Sequence, residues 1–240
     1  MKLQSAIHFL FPPQCLNCGI ETDADFALCS SCWRETPFLA GLLCDACGVP
    51  LPGEKSGETV HCDSCLVAPK PWGIGRASVI YDGAARRLVL ALKHGDRQDL
   101  APAMARWMAH AARDLPLEDA LIVPVPLYWR RLFFRRYNQA SLLADGIARL
   151  KHCDTCPDLL LRTRPTRVQT NMTREARYEN QRDAFAVAPR HLATIRNRNI
   201  LLVDDVMTSG ATLSACAEAC LTAGAAQVNV AVFARVARDP

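Results

Sequence analysis

From about residue 75 onward, apolar residues fall into short runs separated by stretches where they recur at helical spacing. Residues 77–81 (ASVIY) read as a strand, and residues 84–93 (AARRLVLALK) as a helix ended near Gly95. A second helical stretch covers 100–114. Residues 120–123 (ALIV) form a buried strand stopped by Pro124, and 137–150 a further helix. Residues 159–161 and 184–187 read as short strands, and 200–203 (ILLV) as a strand of the fully buried type. A glycine turn then leads into a helix over 211–223, and 228–233 closes the pattern as a strand. Strands alternating with helices predict βαβ units and an α/β fold with a mainly parallel sheet.

The first part of the chain is different. Residues 1–11 place Leu3, Ile7, Leu10 and Phe11 at helical spacing, which predicts a short amphipathic helix. Residues 12–70 carry six prolines and no long periodic apolar segment, so they need metal to hold a fold. Prolines and glycine at 69–73 mark a boundary, giving two units at 1–70 and 71–240. Gln4, Ser5 and His8 interrupt the N-terminal apolar stretch, which runs into a cysteine cluster without a small-residue cleavage site. No apolar run approaches the roughly 20 residues of a membrane span. A cytoplasmic protein without a membrane span is expected.

Twelve cysteines decide what the first unit is. Eight form four Cys-x-x-Cys pairs, at Cys15/Cys18, Cys29/Cys32, Cys44/Cys47 and Cys62/Cys65. Each pair presents two thiolates from one turn, and two such knuckles fill one tetrahedral zinc site. Gly19 and Gly48 follow directly on a second cysteine, where a left-handed residue wraps the backbone around metal. Two consecutive zinc ribbons are expected, with a cross-brace as the alternative pairing and free thiols or redox pairs as the alternative chemistry. With four ligands each, the two ions would be structural, and loss of Cys44 would unfold this unit while leaving much of 71–240 folded. His61 reads as solvent-facing, Cys153/Cys156 as a chance or surface pair, and Cys216 and Cys220 as core residues of a helix.

The segment LLVDDVMTSGAT (201–212) carries the most chemistry. A buried strand delivers Asp204 and Asp205, followed by Thr208, Ser209, Gly210, Ala211 and Thr212 at the start of a helix. Amides at a helix N-terminus and three hydroxyls suit a phosphate monoester. Adjacent carboxylates make sense beside it if they accept hydrogen bonds from hydroxyls of the same ligand, as in a ribose 5-phosphate. The bland alternative is a strand end with a polar helix cap.

Charge is unevenly spread, and the formal +4 conceals it. Residues 121–200 carry 15 Lys and Arg against 6 Asp and Glu, so anion binding is expected there. Arg130, Arg131, Arg135 and Arg136 would clamp a diphosphate or track a nucleic-acid backbone, unless they form an ordinary solvated face. Tyr128, Trp129 and Tyr137 interleave with them and offer rings on which exposed bases stack, or serve as core or rim residues. With half its residues apolar and 22% charged, the chain is not wholly disordered.

The 201–212 segment closely resembles the phosphoribosyl pyrophosphate (PRPP) motif of type I phosphoribosyltransferases. That resemblance implies that Asp204 and Asp205 hold the ribose hydroxyls and that 208–212 hold the 5′-phosphate, with Mg²⁺ accompanying PRPP. It also implies a pyrophosphate loop at Pro124, Val125 and Pro126, and a hood over 164–183. Thr208 stands where purine-salvage members usually carry an aspartate, which argues against that activity.

Taken with the cysteine pairs, LFPP before Cys15, YDG at 81–83, LKHGD at 92–96, VPVPL at 123–127 and RYNQA at 136–140 resemble the ComF family. Gln169, Thr170, Arg174, Arg177, Asn180, Ala184 and Phe185 continue the likeness, and Arg174 and Arg177 extend the basic patch. The resemblance implies a phosphoribosyltransferase-like domain behind a double zinc ribbon. It further implies a role in uptake or processing of single-stranded DNA during natural transformation, with DNA-processing motor proteins as partners. An active phosphoribosyltransferase with an unidentified acceptor and a non-catalytic PRPP sensor are the alternatives.

Overall fold

The computed structural model describes residues 11–54, 57–163 and 184–237, and only the backbone of Trp129, Arg130 and Arg131. The expected helix over 1–11, the hood over 164–183, Arg174 and Arg177 fall outside the described side chains.

The chain opens with two knuckle-built ribbons, each with one short helix, α1 (Ser30–Arg34) and α2 (Asp63–Val67). Five parallel strands follow in the order β1-β7-β6-β2-β3: β1 (Gly75–Ile80), β2 (Leu121–Pro124), β3 (Asp154–Thr155), β6 (Asn199–Met207) and β7 (Gln227–Arg235). Register runs Leu202 opposite Val123 on one side and Val230 on the other. The crossovers are α3 (Gly83–His94), α4 (Ala101–Ala111), α5 (Trp129–Arg135), α6 (Gln139–Lys151), α7 (Leu192–Ile195) and α8 (Ala211–Thr222). A separate antiparallel pair, β4 (Leu160–Arg162) and β5 (Phe185–Val187), brackets residues 164–183. The two ends of that segment meet where the Thr163 N–H donates to the Ala184 carbonyl.

Period-2 alternation in β6 explains the layering. Leu201 and Val203 face α3, α4 and α6, where Leu88, Leu92, Met104, Leu143 and Phe233 complete one core layer. Ile200 and Leu202 face the other way, against Leu213, Cys216 and Cys220 of α8. Helix α3 starts on an Asp82 cap, whose carboxylate accepts from the Gly83 amide at 2.8 Å. The stretch expected as one helix over 137–150 has a break before it. Arg136 adopts φ +66° and ends α5, and Asn138 then caps α6.

The second ribbon is built into the second core layer. Cys44, Cys47 and Cys65 lie in the same apolar cluster as Trp72, Ala77, Leu202 and Val230. Arg76 of β1 pairs with Asp45 of the ribbon at 2.9 Å, and a Cβ on Gly75 would lie 2.3 Å from the Ala46 carbonyl oxygen. This changes the expectation for Cys44: its loss would open the sheet's own core, so the damage would not stop near residue 70. Of the pair expected to be a chance or surface one, Cys156 departs from the surface alternative. Cys156 is buried beside the edge strand, its amide bonded to the Ile122 carbonyl. Cys216 and Cys220 are fully buried, and His61 is exposed, as expected.

Candidate functional site: a phosphate cradle beside two cysteine tetrads

The cysteines assemble into two sequential groups, Cys15/Cys18/Cys29/Cys32 and Cys44/Cys47/Cys62/Cys65, with all sulfurs of a group within 4.8 Å of one another. The cross-brace is therefore not adopted. Both groups are built alike. The Cys29 amide donates to Cys15 Sγ and the Cys62 amide to Cys44 Sγ, each at 3.3 Å. Cys18 to Cys29 and Cys47 to Cys62 are each 3.7 Å apart. That matches the edge of a tetrahedron with ~2.3 Å zinc–sulfur bonds, roughly 3.8 Å. The sulfurs compete for protons: hydrogen bonds from Cys47 and Cys65 pull Cys44 well down, and the same contacts push Cys65 up. In the first group, the Ser31 hydroxyl holds Cys29 down at about 6, and burial pushes Cys32 up to about 12. Four convergent thiols, partly ionised and braced by amides, fit zinc and leave no open ligand position.

The second feature sits at the carboxyl ends of β6 and β7, where parallel α/β sheets bind ligands. A cavity of about 260 Å³ is lined by Tyr81, Lys93, Asp204, Thr208, Gly210 and Thr212, with Val206, Met207, Ala211 and Leu213. Gly210 has φ +83° and precedes α8, whose first turn (Ala211, Thr212 and Leu213) lines the cavity. Asp204 accepts the Asp205 amide at 2.8 Å. Burial, then the neighbouring Asp205 charge, raises Asp204 to about 7, against opposing pulls from Lys93 and Arg162.

The strand period separates the two aspartates. Asp204 shares a face with Leu202 and reaches the cavity, whereas Asp205 turns toward α3. Asp205 is buried and paired with Lys93 Nζ at 2.9 Å, and its Oδ2 has no hydrogen-bond partner among the described residues. Ser209 also lies off the cavity wall, its hydroxyl accepting the Ala211 amide at 3.4 Å. Of the seven expected ligand residues, Asp204, Thr208, Gly210, Ala211 and Thr212 converge directly.

Several side chains that hold the cradle carry no local sequence signal. The buried Arg235 guanidinium donates to the carbonyls of Met207, Thr208 and Val236. Lys70 Nζ donates to the Ser209 carbonyl at 3.0 Å. Trp72 Nε1 donates to Ala46, within the Cys44–Cys47 knuckle, at 2.6 Å, and its ring edge would lie 3.2 Å from a Cβ on Gly210. One indole ring thus links the second cysteine knuckle to the Gly210 turn.

The expected pyrophosphate loop lies beside the cradle with a limited donor set. Pro124 and Pro126 have no N–H, and the Val125 amide is spent on the Val203 carbonyl at 2.9 Å. Asn138 fixes this loop by donating to the Val125 carbonyl at 3.0 Å, and Gln139 accepts from Arg135 at 3.2 Å. That gives the Asn-Gln segment a structural role. Cationic donors are close: a second cavity of about 500 Å³ shares Lys93 and is lined by His94, Asp96, Phe134, Arg135, Arg136 and Tyr137. Arg135 and Arg136 therefore come together with Lys93. Among the described side chains of this region Phe133 and Phe134 are the exposed rings, while Tyr128 and Tyr137 are half-buried.

A double zinc ribbon joined to a phosphoribosyltransferase-type α/β domain is the class this architecture defines. Residues 6–66 match the double zinc ribbon domain and residues 141–240 the phosphoribosyl transferase domain. The chain belongs to the ComF family. It is 33% identical over 211 residues to the DNA utilization protein YhgH of Escherichia coli, covering 85% of this chain and 88% of that one. It is also 29% identical over 233 residues to competence protein F of Haemophilus influenzae, covering 92% and 96% respectively. Identity to competence protein ComFC of Bacillus subtilis is 23%, covering 84% of this chain and 81% of that one. Among solved structures, glutamine PRPP amidotransferase from B. subtilis matches 59% of this chain and 30% of its own at 16% identity. The TM-score of that match is 0.40. No helix among the described residues is long and apolar enough to cross a membrane.

Proposed function

We propose that this chain is a cytoplasmic PRPP-binding protein that supports the uptake or processing of single-stranded DNA, its two zinc ions serving structure. The observation that carries the reading is the end of β6: a half-buried carboxylate, Asp204, facing the first turn of α8 across one cavity. The 5′-phosphate fits the 208–212 turn and the Thr208 and Thr212 hydroxyls, where a positive end-dipole and a tight glycine turn favour an anion. Asp204 accepts the ribose hydroxyls. Asp205 acts one step behind by holding Lys93 at the lip, where its ammonium would meet the diphosphate, and Mg²⁺ bound with PRPP would supply further positive charge. The DNA role is supported by the names of the relatives and by the basic surplus over 121–200.

Calorimetric titration with PRPP and Mg²⁺ tests the site. Wild type should bind. Asp204→Asn should lose on the order of tenfold in affinity, because a charge-assisted hydrogen bond is worth about 1.5–3 kcal/mol. Absence of PRPP binding by wild type, or an unchanged titration for Asp204→Asn, would refute the reading. One observation favours an active transferase as a second reading: the larger cavity adjoining at Lys93 leaves room for an acceptor. Release of pyrophosphate from PRPP, with and without single-stranded DNA, distinguishes the two.

A further inference from the structure

Helix α5 displays two phenylalanines to solvent. Phe133 is 78% and Phe134 83% exposed, and their rings stand 6.1 Å apart in a T arrangement at 81°. Leu132 beside them is 42% exposed. Among the described residues Phe11, Trp33 and Phe26 are exposed singly, Phe233 is fully buried and Phe185 nearly so, and only here do two neighbouring rings both face solvent. Adjacent exposed aromatics of this kind mark a contact surface.

The surroundings narrow down the partner. Phe134 forms one wall of the 500 Å³ cavity, whose other walls include Lys93, His94, Arg135 and Arg136 against a single acidic residue, Asp96. Rings set among cations suit a polyanion with flat apolar faces, which describes a nucleic-acid strand whose bases are unpaired. The two rings also stand nearly at right angles to each other on α5, so they suit separately splayed bases better than the continuous stack of a duplex. A seven-residue helix, about 10 Å long, offers too short an apolar face to lie stably in a lipid interface.

We propose that Phe133 and Phe134 form a stacking platform for the bases of single-stranded DNA, with Arg135 and Arg136 receiving its phosphates. This rests on the reading of single-stranded DNA as a ligand of the chain. Because the cavity shares Lys93 with the phosphate cradle, a strand on the platform runs its backbone toward the PRPP site.

Fluorescence anisotropy with zinc-loaded full-length protein and a thymidine oligonucleotide tests the platform. Phe133→Ala/Phe134→Ala should weaken binding by roughly tenfold per ring while leaving the salt slope unchanged, since rings release no counterions. Phe133→Leu/Phe134→Leu should be nearly as weak, as leucine keeps apolar area but loses the stacking face. Arg135→Ala/Arg136→Ala should instead flatten the slope. An abasic oligonucleotide should bind wild type no better than thymidine DNA binds the double alanine variant. PRPP titration, unchanged in the phenylalanine variants, shows that they are folded. Equal affinity of wild type and the double alanine variant, or equal binding of abasic and thymidine strands, overturns the platform. Phenylalanine-dependent binding to anionic vesicles with DNA affinity intact would assign the surface to a membrane and likewise overturn it. Wild type that binds no single-stranded DNA at all would remove the DNA role itself, an outcome distinct from failure of the platform alone.

Discussion

Replacing Trp72 tests whether the second ribbon positions the phosphate loop. The indole is 7% exposed, bonded to Ala46 inside the knuckle and close-packed beneath Gly210. Trp72→Ala removes a buried ring, which costs about 3–5 kcal/mol in comparable cores, and leaves the Ala46 carbonyl without its donor. Trp72→Phe keeps most of the ring and forfeits the hydrogen bond, costing about 1–3 kcal/mol. Denaturant unfolding of the zinc-loaded protein should rank the variants in that order. The functional readout is separate. With the ring removed, the turn ending at Gly210 is still held by Lys70 and Arg235 and by the Val236 and Ser214 amides, but loses its packing. PRPP affinity should then fall about tenfold, or ~1.4 kcal/mol, in Trp72→Ala and stay near wild type in Trp72→Phe. A zinc-sensitive dye should also report faster metal release from Trp72→Ala. If Trp72→Ala loses stability as calculated yet binds PRPP within twofold of wild type, the ring only packs, and the link from knuckle to loop is refuted.

The raised Asp204 sets a pH dependence. Its folded value of about 7 lies above the ordinary 3.8, so the folded state keeps a proton that the unfolded chain releases between those values. The contribution of Asp204 to the stability of the ligand-free protein is therefore fully present below the lower value and is lost as pH rises through the window, while PRPP affinity increases toward its top. Asp204→Asn should flatten that stability slope and raise the melting temperature at pH 8 even as it weakens PRPP binding, as scanning calorimetry can show. Gly210→Ala should lose on the order of 1–2 kcal/mol from the left-handed backbone, with added crowding of Trp72, and bind PRPP more weakly in the same titration. Cys44→Ser should lower the unfolding midpoint of the whole domain, read by far-ultraviolet circular dichroism. Cys18→Ser, altering an exposed ligand of the first ribbon, should release one zinc and leave most helical signal intact.

What the sequence by itself determined is what depends on near neighbours in the chain. Cysteine pairs at fixed spacing name a metal site because both thiolates of a knuckle come from one turn, and the structure groups them in sequential tetrads. The β6–α8 segment was legible for the same reason: strand, glycine turn and helix start lie within 12 consecutive residues. The alternation of apolar runs likewise foretold the parallel sheet, since period 2 and period 3.6 are local properties. Tertiary structure alone decided the rest. Asp204 and Asp205 look equivalent in sequence, but the pleat sends one to the cavity and the other to Lys93, 112 positions away. Trp72, Lys70 and Arg235 carry no motif, and they meet the loop because crossovers bring distant segments to one end of the sheet. The second ribbon reads as a separate unit, yet its knuckle shares the sheet's core through contacts between residues 45 and 76 and between 46 and 72. Phe133 and Phe134 stand in an arginine-rich stretch that fits either burial or exposure. Only the left-handed break at Arg136, which ends α5 at the rim of the Lys93 cavity, leaves both rings facing water.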